Sequence, residues 1–129
     1  MLYKLPSSSS PVYQKAKDIF ALAQRISDYL QQDLAVLRKD GNESPGIYFT
    51  GDVVQKTVRL FPEIINAEQK TSTTEKIKHA TSVSHLTQQI YYSCVRLEKS
   101  LTNGKEFVEM FRKELKRFQK LQKKWRLTL

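Results

Sequence analysis

The sequence predicts an all-α fold, an antiparallel up-and-down four-helix bundle, and three observations carry that prediction. Four stretches repeat apolar residues at steps of three and four, the spacing of an amphipathic helix. The later two links between them are only a few residues long, and short links force neighbouring helices to run antiparallel. Turn material is scarce, with four Gly and four Pro in 129 residues, too little for a fold built from many short strands.

The first helix follows a polar leader, Ser7–Ser10 between Pro6 and Pro11, which is expected to be mobile. Its stripe is Val12, Ala16, Ile19, Phe20, Ala23, Ile26, Leu30, Leu34 and Leu37. Pro11 suits the first turn, where a missing N–H is harmless, and Arg38-Lys39-Asp40-Gly41 suits a helix end. Thr50 is then read as an N-cap with Asp52 in the first turn. The second helix uses Val53, Val54, Val58, Leu60, Phe61, Ile64, Ile65 and Ala67 and runs to about Gln69. Pro62 inside this pattern predicts a kink, with two shorter helices as the alternative.

Ser72-Thr73-Thr74-Glu75 has the spacing of a capping box. A third helix to about Ser100 follows, with Ile77, Ala80, Val83, Leu86, Ile90, Tyr91, Cys94, Leu97 and Leu101 on its stripe. Asn103-Gly104 breaks the chain, and the fourth helix places Phe107, Met110, Phe111, Leu115, Phe118, Leu121 and Trp125 on one arc before fraying near Thr128. The expected organisation is a flexible leader over 1–11 and one domain over 12–127. No repeat of 20–50 residues is present, so a helical solenoid has no support.

Charge is concentrated rather than spread. The chain carries 22 Lys and Arg against 13 Asp and Glu, a formal net charge of +9. From Asn103 onward, nine basic residues oppose three acidic ones, so most of the surplus lies in the last helix. On a helical wheel Arg112, Lys113, Lys116, Arg117, Lys120, Lys123 and Lys124 share an arc of about 140° opposite the apolar stripe. Like charges along one ridge repel, and a polyanion relieves that repulsion; the bland alternative is a solvated lysine face. The spacing suits phosphate backbones, since no motif for reading bases is visible. A basic amphipathic helix also suits a membrane surface, but here the bundle core needs the same apolar stripe, so no membrane role is expected.

No chemistry-bearing constellation stands out, and an enzyme is not expected. His79 and His85 are six apart and so miss the spacing of a helical metal pair; no Glu-x-x-His, Gly-rich phosphate loop or Gly-x-Ser-x-Gly is present. No cofactor or metal is expected. Cys94 is alone and falls on the buried side of its helix, as a small core residue. The start, MLYKLPSSSSP, lacks the apolar stretch of a signal peptide, so a cytoplasmic location is expected. Trp125 has two readings: it stacks on a base amid Lys123, Lys124 and Arg126, or it continues the core stripe, and its place on the wheel favours the core. Tyr13, Tyr29, Tyr48, Phe49 and Tyr92 lie off the stripes, and as partly exposed aromatics they predict self-association.

Phe49-Thr50-Gly51-Asp52-Val53-Val54-Gln55, followed by Leu60 and Ile64-Ile65-Asn66-Ala67, resembles the second helix of accessory variability determinant proteins. These are small basic bundles that assist the reverse transcriptase of diversity-generating retroelements. Phe118, Leu121, Trp125 and Arg126 are similar to that family's closing pattern. Tyr13-Gln14-Lys15-Ala16, and Pro62 with Ile65, resemble the related 23S ribosomal RNA intervening-sequence proteins. The third helix departs from the pattern, with Thr, Ser and Gln where the family has Leu and Arg. The resemblance implies a homopentamer of four-helix protomers whose positive surface meets nucleic acid and a reverse transcriptase. The alternative it leaves is an oligomeric protein–protein adaptor with no direct nucleic-acid role.

Overall fold

The computed structural model describes residues 7–32, 49–101 and 103–129. Helix α1 spans Pro11–Gln32. Helix α2 opens with a π-helical turn, Thr50–Val54, and continues as an α-helix over Gln55–Gln69. Helix α3 spans Thr73–Ser100 and α4 spans Lys105–Arg126. Each helix packs on the next and α4 closes the ring on α1, the arrangement of an antiparallel up-and-down four-helix bundle. Leu34, Leu37, Tyr48 and the stop signal Arg38–Gly41 lie outside the described residues.

The core draws on all four helices, with Ile19 from α1, Leu60 and Ile64 from α2, Ile90 from α3, and Phe111 and Phe118 from α4 fully enclosed. Burying each such side chain contributes about 1.5–3 kcal/mol before the entropy of ordering is subtracted. Aromatic edges join the elements: Phe61 meets Tyr13 at 5.4 Å and Phe20 at 5.9 Å, and Phe49 meets Phe111 at 5.9 Å.

Several expectations change in detail. Thr50 is not a cap but the first residue of the π turn, because Phe49 before it is helical too and fully buried beside Val53. Tyr13 and Phe49 are core residues, which removes both from the exposed aromatics. On α2 the stripe passes through Thr57 rather than Val58; the Thr57 hydroxyl donates to the Val54 carbonyl at 2.6 Å, which lets a polar side chain be enclosed. One α-helix runs through Pro62, which faces solvent, in keeping with the continuous pattern rather than with two shorter helices. The carbonyl left without its usual donor belongs to Val58, a residue that is itself exposed. Ser72 takes the extended cap conformation at the start of α3, but its side chain makes no cap hydrogen bond, so the capping box is not formed. At the start of α1, Ser10 accepts from the Tyr13 N–H at 3.4 Å and its own N–H donates to Ser8 Oγ at 3.1 Å.

Candidate nucleic-acid interface

The outer face of α4 is positioned by what its inner face buries. Val108, Phe111, Leu115, Phe118, Gln122 and Trp125 are enclosed. Two of these were not on the predicted stripe, and two that were, Phe107 and Met110, are 36% and 44% exposed. Leu121 is half-buried. The helix is therefore rotated toward α3 relative to the arc drawn from its own sequence. Gln122 tolerates the buried position because its amide donates to Ser84 Oγ of α3 at 2.8 Å. Phe107 is held at the α1 side by an edge contact with Tyr29, 4.9 Å between ring centres.

Opposite this face, Lys113, Lys116, Arg117, Lys120, Lys123 and Lys124 are exposed. Among the described residues no carboxylate pairs with Lys113, Lys116, Lys120, Lys123 or Lys124. Arg117 donates to Glu114 at 2.6 Å while keeping most of its side chain in solvent. Glu114 also accepts from Lys15 of α1 at 2.7 Å, and that hydrogen bond is the main cause holding its carboxyl below the usual glutamate value.

Arg112 differs from the rest of the ridge. It is half-buried, and its Nε donates to Glu98 of α3. Its guanidinium also lies over the ring of Tyr91, 5.9 Å from the centre, and the Lys116 ammonium lies 5.7 Å from the same ring. Nothing in the sequence marks the partnership of Arg112 with Glu98, fourteen positions apart on two helices. Near this pair, burial pushes the Cys94 thiol up to about 12, with the Glu98 charge adding to it, so Cys94 is an inert core residue.

The remaining sequence candidates fall elsewhere. Trp125 is buried at 7% exposure, and its indole N–H donates to Glu68 at 3.0 Å, which places the ring in the bundle rather than on the ridge. Beside it lies an open cavity of about 500 Å³ lined by Pro11, Val12, Glu68, Leu121 and Leu129 among others. His79 Nδ1 lies 2.7 Å from Glu63, and His85 is exposed. Among the described residues no three His, Cys, Asp or Glu side chains converge, and no helix is long and apolar enough to cross a membrane.

Fold and face together define a small four-helix bundle with one helix presenting a cationic ridge. No protein-family model matches the chain, and no curated protein or solved structure does either.

Proposed function

We propose that the protein is a non-enzymatic nucleic-acid-binding bundle that holds phosphates along α4 with little sequence preference. The observation that supports this most is the row Lys113, Lys116, Lys120, Lys123 and Lys124, exposed on one helix face with no described carboxylate as partner. Five ammonium groups along one ridge raise the local potential, and a phosphate backbone lowers it. The resemblance to accessory variability determinant proteins extends the proposal to a reverse transcriptase partner and a homopentamer.

Fluorescence anisotropy of a labelled RNA against salt tests the reading. Engaging about five phosphates gives a slope of log affinity against log salt of about −3.5 for a single strand. Reversing Lys116, Lys120 and Lys124 to glutamate is expected to abolish binding. Affinity that stays flat between about 50 and 300 mM salt would reject a phosphate-driven interface.

A second reading, a protein–protein adaptor whose basic face docks an acidic protein surface, is supported by the same row of exposed lysines. The same charge-reversed variant separates the two. An adaptor keeps its nucleic-acid background unchanged and loses an acidic protein partner.

A further inference from the structure

Resting on that reading, we infer that the seam between α3 and α4 selects single-stranded nucleic acid, with the ring of Tyr92 as a stacking platform for an unpaired base. Tyr92 is 63% exposed, the most exposed aromatic side chain among the described residues. It is not isolated from the cationic ridge. Its ring meets Tyr91 edge-on at 5.9 Å and 78°, and Tyr91 in turn carries Arg112 and Lys116 at 5.9 and 5.7 Å. One ring therefore separates an open aromatic face from a phosphate-binding ammonium.

Among the described residues, the stretches of α3 and α4 on either side of the seam also carry no carboxylate that would repel a nucleic acid. Between Glu75 and Glu98 helix α3 contains no acidic residue, and after Glu114 neither does α4. The two stretches lie side by side: Ser84 bonds Gln122, Thr81 accepts from Arg126 at 3.3 Å, and Tyr91 lies under Lys116. The α3 side of this strip offers neutral hydrogen-bonding groups, Thr81, Ser84, Gln88 and Tyr91, over a length of about 16 Å from Thr81 to Tyr92. Glu98, the carboxylate closing one end, is already neutralised by Arg112.

A duplex presents phosphates to the ridge but keeps its bases stacked inside. A single strand presents phosphates to the lysines and an unpaired base to an aromatic face, and such stacking tolerates any base. The combination on α3 and α4 fits the second ligand. The Thr, Ser and Gln content of α3 then makes a strip without carboxylates that accepts bases and sugars as well as charge.

The experiment compares Tyr92→Ala, Tyr92→Phe and the Lys116, Lys120, Lys124 charge reversal in the full chain. Anisotropy is read with an oligo-uridine, an oligo-thymidine and a duplex of equal length. Tyr92→Ala is expected to weaken both single strands about 5- to 20-fold and to leave the duplex within about 2-fold, while Tyr92→Phe binds as the parent. The uridine and thymidine arms separate RNA from DNA. Unchanged single-strand binding by Tyr92→Ala, with loss on charge reversal, overturns the stacking site and leaves the ridge standing. Loss in neither variant overturns both. Equal loss on single strand and duplex overturns the selectivity. A fall in mass by light scattering for Tyr92→Ala, with binding intact, assigns the ring to a contact between copies and overturns the inference.

Discussion

The Nε of Arg112 lies 3.0 and 3.1 Å from the two carboxylate oxygens of Glu98. Glu98 is 8% exposed, so this contact neutralises a carboxylate that the bundle would otherwise enclose unpaired. It also explains why the guanidinium is held even more firmly protonated than an ordinary arginine, the hydrogen bond to Glu98 being the chief cause.

Arg112→Ala is therefore expected to act on stability. A loss of about 2 kcal/mol in urea unfolding is expected, because removing one partner strands the other in a low-dielectric site. Arg112→Lys recovers only part of it, since an ammonium does not reproduce the planar donor geometry. Lys120→Ala, on an exposed face, is expected to change stability by no more than about 0.5 kcal/mol while weakening nucleic-acid binding. Equal stability for the Arg112 and Lys120 variants would contradict this division of roles.

Gly104 carries the turn into α4 with φ of 83°, the left-handed region. A Cβ there would come within 3.0 Å of Leu30 Cδ2 and 3.2 Å of Tyr29 Cε1. Gly104→Ala is expected to cost about 1–2 kcal/mol from the backbone alone, with the crowding added to it. Thermal unfolding checks this, and an unchanged midpoint would show that the turn relaxes freely.

Trp125 fixes the last turn of α4 through its buried ring and its bond to Glu68. Complete enclosure would make Trp125→Ala cost about 3–5 kcal/mol, but the open cavity beside the ring lets the helix end readjust. A loss of about 2–3 kcal/mol is expected. The parent protein should show blue-shifted tryptophan emission with weak iodide quenching; red-shifted, freely quenched emission would move the ring to the surface.

The Lys15–Glu114 contact, 2.7 Å, ties α1 to α4 and lowers the Glu114 pKa from its ordinary 4.5. A carboxyl lowered in the folded state contributes stability that is fully present above the ordinary value and is lost as pH falls through the folded one. Carboxyl NMR should thus find Glu114 titrating below the ordinary glutamate value, and Lys15→Met should move it upward. An unmoved midpoint would show that the ion pair is not formed in solution.

Much of this protein was legible along its chain. The stripes on the four helices, the short links at 70–72 and 101–104, and the break at Asn103-Gly104 determine order and antiparallel sense, because each is a local consequence of spacing and backbone freedom. The concentration of charge after Asn103 was equally readable. The rotation of α4 was decided only by packing. A helical wheel sees one helix, whereas Val108 and Gln122 are enclosed, and Phe107 and Met110 exposed, because α4 leans on α3 and finds Ser84 there. For the same reason Arg112 of the ridge is engaged by Glu98, and Tyr91, edge-on to Tyr92, lies beside the ridge. Contacts between residues distant in sequence depend on how faces meet, and only the assembled bundle sets that.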